Sequence, residues 1–140
     1  MHVEPDLLNW TCVNVLVGVG DPYSTDAAKA FESAAIDSKI RVCAKVNYEA
    51  GSLDMEEPIK QIMDSRCCLV TVVFGQTQDI SSLLLEAHQQ HYSGEWIMGD
   101  NVMGSLDTVV NHLSEHLDED DMTKLLTGMC KISLSEVQLV

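Results

Sequence analysis

The stretch NVLVGVGDPYSTDAAKAF, Asn14 to Phe31, decides how this chain is read. An apolar run breaks at Gly18 and Gly20, passes Asp21-Pro22-Tyr23, and then takes on helical spacing. Ala27, Phe31, Ala34 and Ala35 share one helical face, with Ser24 or Thr25 as the expected N-cap and Asp26 in the first turn. The glycine corner admits three readings: a nucleotide cradle, part of a small-ligand cleft, or a plain strand-to-helix turn.

The same strand-to-helix grammar recurs along the chain. Val13 to Val19, Ile40 to Val46, Cys68 to Phe74 and Glu95 to Met98 read as strands. The first three are rich in valine with little alternation, which suits parallel strands covered on both faces. Between them run helical stripes. Met55, Ile59, Ile62 and Met63 form one, and Ile80, Leu83, Leu84 and Ala87, capped by Thr77 or Asp79, form the next. Leu106, Val109, Val110, Leu113 and Leu117, capped by Ser105, form the last. The order β-α-β-α-β-α-β-α predicts an α/β fold, an open parallel sheet with helices on both faces. The acidic run Asp118 to Asp121 reads as a solvated loop ending the fourth helix. A helical turn to Leu126, capped by Gly128, and a last strand within MCKISL complete the pattern. With no internal repeat or linker, residues 1–140 read as a single α/β domain.

Composition narrows the function. A chain of 140 residues, 46% hydrophobic, is long enough to bury a core. Eight Lys and Arg against 22 Asp and Glu give a net charge of −14. Such a surface repels phosphate backbones and anionic lipid, so no nucleic-acid partner is expected. The longest nearly apolar run, Cys67 to Phe74, is far short of the roughly 20 residues of a membrane span, so no direct membrane insertion by this segment is expected. The start MHVEPDLLNW has no basic segment followed by an apolar block and does not read as a signal peptide. The cysteines, Cys12, Cys43, Cys67, Cys68 and Cys130, are odd in number and form no C-x-x-C pair, so buried thiols are expected. Asn9-Trp10-Thr11 is a glycosylation sequon, meaningful only for an exported chain.

Ligands of open parallel sheets bind beyond the carboxyl ends of the strands. The loops at that edge are 18–25, 50–54, 75–79 and 99–105. Glycine directly after a strand lets backbone approach a ligand, and a helix N-terminus offers N–H groups to an anion. A dinucleotide fingerprint fails, because its third glycine falls on Tyr23, and no Gly-Lys-Ser/Thr phosphate loop is present. There is no G-x-S-x-G elbow for nucleophilic catalysis. Asp21, Asp79 and Asp100 lie at the edge, without the paired acids and lysine of a phosphoacceptor. HLSEH, His112 to His116, spells H-x-x-E-H, with two histidines one helical turn apart. As a zinc hydrolase it would use His112, Glu115 and His116 and would need a third protein ligand on another element.

Taken in order, these segments resemble a known family. WTCVNVLVGVGDPYSTDAAKAFESAAIDSKIRVCAKV, from Trp10, resembles the start of the second lobe of the receptor-family ligand-binding region. That region has the type I periplasmic-binding-protein fold, shared with class C G-protein-coupled receptors and natriuretic-peptide receptors. Trp10, the turn Asp21-Pro22-Tyr23-Ser24 and Phe31 carry the likeness. EEPIKQIMDSRCCLVTVVFGQTQDISSLLLEAHQQHYSGEWIMGDN continues it, ending in Trp96-Ile97-Met98-Gly99-Asp100, and LLTGM closes it, so that it covers about residues 10–128. The resemblance implies a non-catalytic ligand-binding lobe on the extracellular side of a membrane receptor, with no cofactor. By position, Asp21, Tyr23 with Ser24, Gln76 with Thr77, and Asp100 would line the ligand. Ser24 stands where the family usually has glycine, Pro22 stiffens the turn, and Gln76-Thr77-Gln78 is less acidic than in many relatives. The partners implied are a small, amino-acid-like molecule, the first lobe of the same receptor and a homodimer mate. Since the family builds its cleft between two lobes, the chain is expected to be a fragment, and its sequon and cysteines then belong to an oxidising space. Besides the zinc hydrolase, the competing reading is a ligand-free protein-interaction module.

Overall fold

The computed structural model describes residues 12–65, 70–92, 94–98, 106–129 and 132–133. Five strands and five helices are described: β1 (Cys12–Val19), α1 (Pro22–Asp37), β2 (Arg41–Glu49), α2 (Glu56–Ser65), β3 (Val70–Phe74), α3 (Thr77–Gln89), β4 (Glu95–Met98), α4 (Leu106–Ser114), α5 (Glu119–Met129) and β5 (Ile132–Ser133). The strands form one sheet in the order β2-β1-β3-β4-β5, every pair parallel.

β1 and β3 are buried on both sides, whereas β2, expected to be covered on both faces, is an edge strand that alternates, with Val46 and Tyr48 buried and Arg41, Lys45, Asn47 and Glu49 exposed. Leu16 of β1 stands opposite Val46 on β2 and Val73 on β3. Val13, Val15 and Val17 point the other way and pack with Ala28, Phe31 and Ala35 of α1, joined by Val72 and Phe74. Phe31 and Phe74 meet at a centroid distance of 5.8 Å. Leu16, Val46, Val73 and Met98 join the second core with Ile59, Ile62, Leu83, Leu84, Val109 and Leu113. Each large apolar side chain so enclosed contributes about 1.5–3 kcal/mol of burial, and helices cover both faces, as the alternating order predicts.

Several boundaries differ from the sequence-based expectation. α1 starts at Pro22 with Asp21 as N-cap, not Ser24 or Thr25, because proline fits the first helical position. α3 is entered through Gln76 without a side-chain cap bond. The acidic run does not close the fourth helix; it opens α5. The Asp118 carboxylate accepts from the Asp121 N–H at 2.8 Å, and the following acids meet the positive helix end. α5 then runs through Gly128 to Met129. Cys12, expected as a thiol, is disulfide-bonded, whereas Cys43 keeps a half-buried thiol. Trp10, Asp100, Ser105 and the other three cysteines lie outside the described residues.

Candidate functional site at the carboxyl rim of the sheet

In the order β2-β1-β3, the connections from β1 and from β3 depart in opposite directions. The carboxyl ends of β1 and β3 therefore flank the switch point where sheets of this class hold ligands. Gly20, at φ 96°, turns the chain out of β1 in a conformation that suits glycine. Asp21 follows and serves two elements. Its Oδ1 accepts from the Tyr23 N–H at 3.1 Å, capping α1. Its Oδ2 accepts from the Gln76 side-chain amide at 3.1 Å, across the switch point. Tyr23, one residue into the helix from Pro22, is 45% exposed.

Beneath this surface the rim is cross-braced. The Ser24 hydroxyl accepts from the Gly18 N–H at 2.7 Å and donates to the Phe74 carbonyl at 2.6 Å. The Tyr48 hydroxyl donates to the same carbonyl at 2.7 Å. Tyr48 lies opposite Gly18 in the β1–β2 register. Its ring crosses β1 over Gly18, where an added Cβ would come within 2.9 Å of the phenol oxygen, and reaches Gly75, where a Cβ would overlap that oxygen. Burial first, and then the charges of Asp79 and Asp21, push the Tyr48 phenol far above its ordinary range, with a smaller opposing effect from Ser24. It stays a neutral donor. The β2–α2 loop is held as well. Asp79, 7% exposed, accepts from the Gly51 N–H at 3.0 Å, and the Ala50 N–H donates to the Val19 carbonyl at 3.0 Å.

The structure thus brings Asp21, Tyr23, Gln76 and Thr77 to one rim. Asp21 and Thr77 are half-buried and Gln76 is exposed. Ser24 departs from its expected place in the ligand wall: it is 0% exposed and its hydroxyl is committed to two backbone groups. It positions the rim from below. Asp100 lies outside the described residues. Tyr48 was not among the expected site residues, and Asp79, expected as a cap or edge acid, is a loop brace.

The HLSEH stretch takes no part in the hydrogen bonds that brace this rim. His112 and His116 line a groove of about 350 Å³ formed with Leu53 and the outer face of α3. Among the described residues no three His, Cys, Asp or Glu side chains are grouped to hold a metal, so the third ligand that zinc hydrolysis requires is not found there. Among the described residues no helix is long and apolar enough to cross a membrane.

No family model matches the chain, and no curated protein matches it. Solved structures do. The branched-chain amino acid transporter substrate binding protein LivJ from Streptococcus pneumoniae, in complex with isoleucine, is 20% identical with a TM-score of 0.61, over 69% of this chain and 27% of its own. The leucine binding protein LivK from Thermotoga maritima is 19% identical with a TM-score of 0.64, over 70% and 27%. A type 1 periplasmic binding protein from Bordetella pertussis is 13% identical with a TM-score of 0.61, over 70% and 26%. The match spans about a quarter of each of these proteins. The α/β sheet, its parallel order and these likenesses give one conclusion: the chain has the fold of a single lobe of the type I periplasmic binding proteins.

Proposed function

We propose that this chain is one wall of a two-walled, non-catalytic binder of a small, amino-acid-like molecule, serving as the second lobe of a receptor's extracellular ligand-binding region. The observation that carries the reading is the hydrogen bond from Gln76 to Asp21 across the switch point, beside an exposed Tyr23. It holds polar groups of two loops in one place before a ligand arrives, which lowers the ordering cost of binding. Each group has a fitting role. The Asp21 carboxylate keeps acceptor capacity beyond its two bonds and suits an ammonium group. The first turn of α3, which no side chain caps, suits a carboxylate. Tyr23 offers an aromatic face to the rest of the molecule. Thr77 lies beside them, and Asp100 completes the set by its place in the sequence.

The structural neighbours, an isoleucine complex and a leucine binding protein, support an amino acid as ligand. The Cys12 disulfide supports an oxidising compartment. The first lobe of the same receptor supplies the opposite wall, and the ligand acts by favouring closure of the two. A homodimer of such receptors is the arrangement in which closure is relayed.

The test is a titration of the ¹⁵N-labelled chain with isoleucine, leucine and other amino acids at millimolar concentrations, followed by amide chemical shifts. The amides of Tyr23, Gln76 and Thr77 are expected to shift together, and Tyr23→Ala to abolish the shifts. If no amino acid moves the rim amides, or if Tyr23→Ala leaves the shifts intact, the reading fails and the rim is better described as a protein-docking edge.

A further inference from the structure

The histidines of HLSEH have no part in the rim, yet their arrangement has a chemistry of its own. His112 lies in the last turn of α4 and His116 in the turn just beyond its end at Ser114, where the His116 N–H bonds to the Leu113 carbonyl at 3.0 Å; their ring centroids are 5.7 Å apart and their planes inclined at 54°. Both face the groove of about 350 Å³ that also carries Leu53, Leu85, Glu86 and Gln89. The geometry points to a two-point chelate, held by His112 and His116, for a borderline divalent transition ion such as Ni²⁺, Cu²⁺ or Zn²⁺.

Neutral imidazole is the side chain suited to these ions. Ion-to-nitrogen bonds of about 2.0–2.1 Å place two rings on one tetrahedral ion roughly 5 Å apart between centres. The observed 5.7 Å closes to that separation by small side-chain rotations within the open groove. The opposite wall favours a cation. Glu86 stands there with its carboxylate held by the Gln90 amide at 3.0 Å, and the chain as a whole carries −14. His88, on the same helix as Glu86, is turned to Asp121 of α5, 3.5 Å away, and does not line the groove.

Among the described residues no group of three ligands forms, so the site is neither a closed structural centre nor a three-ligand catalytic one. An ion held at two points binds reversibly, keeps open positions for water, and competes with protons for the imidazoles.

Isothermal titration of Ni²⁺ into the 140-residue chain near neutral pH tests the site. One ion per chain is expected to bind. His112→Ala and His116→Ala are each expected to weaken binding by roughly 10-fold or more, and the double variant to leave no measurable uptake. Both rings lie at the groove surface, so circular dichroism should confirm an unchanged fold. As a second readout, Cu²⁺ should broaden the imidazole signals of His112 and His116 before those of His88 and His91. No Ni²⁺ uptake by the unmodified chain overturns the proposal. So does uptake that survives the double variant, which would place the ion elsewhere.

Discussion

Tyr48 reaches across a neighbouring strand, and it can do so because that neighbour offers it no side chain. It stands on β2 opposite Gly18 of β1, and its hydroxyl ends on the Phe74 carbonyl of β3. Gly75 is the far wall of the slot. Gly75→Ala is therefore expected to lower stability by about 1–3 kcal/mol, the usual cost of overfilling a packed site. Tyr48→Phe is expected to lower it by about 0.5–1.5 kcal/mol, since the Phe74 carbonyl keeps the Ser24 hydroxyl. The double variant should lose less than the sum of the two, by about 0.5 kcal/mol or more, because removing the hydroxyl makes room for the methyl. Urea denaturation of the four proteins measures this, and strict additivity would show that the hydroxyl and the methyl do not compete for one space. Gly18 and Gly75 read from sequence as places for a ligand to approach, whereas their occupant is a side chain of the protein itself. Nothing periodic marks such a tyrosine. Its role depends on the register between β1 and β2, which apolar pattern alone does not specify. Ser24 is misplaced for a related reason: once α1 begins at Pro22, Ser24 turns inward under the rim.

Elements were easier to find than their ends. Val-rich runs and helical stripes located four strands and four helices, and Glu95–Met98 has the expected bounds. β2 runs to Glu49 rather than Val46, α4 stops at Ser114 short of Leu117, and two further ends were decided by capping. Asp21, not Ser24 or Thr25, caps α1, and Asp118 turns an acidic loop into the start of α5. In both cases a carboxylate and a free helix end found each other, and any of several nearby polar residues would have looked equally suited. Asp21→Ala is accordingly expected to destabilise the protein by about 1 kcal/mol, and Asp21→Asn by less, since asparagine still presents an oxygen to the Tyr23 N–H. Denaturant midpoints decide between them. A further consequence separates cap from rim: Asp21→Ala releases the Gln76 side chain, so its amide resonances should shift, whereas a loss confined to α1 would leave them unmoved.

At the scale of the molecule, alternation of strand and helix was enough to give a parallel sheet covered on both faces, because each right-handed crossover can pack only one way. What alternation leaves open is how the acidic charge is distributed around that sheet. With 22 acidic and 8 basic side chains, most carboxylates have no cation to pair with. The Lys45–Glu32 pair, at 3.2 Å on a half-exposed surface, contributes little against this excess. The folded chain holds its charge in a smaller volume than the unfolded one, so self-repulsion opposes folding. Sodium chloride should therefore raise the melting temperature. The rise should be steepest at low ionic strength and level off as the screening length falls from about 10 Å at 0.1 M to about 3 Å at 1 M. A relief of about 1 kcal/mol corresponds to a few degrees for a chain of this size. The shape of the curve carries the argument. Screening saturates, whereas strengthening of apolar burial by excluded salts such as sulfate keeps growing with concentration. A melting temperature that does not respond to sodium chloride at low ionic strength would mean that the carboxylates already lie too far apart to repel, and that the acidity serves solubility alone.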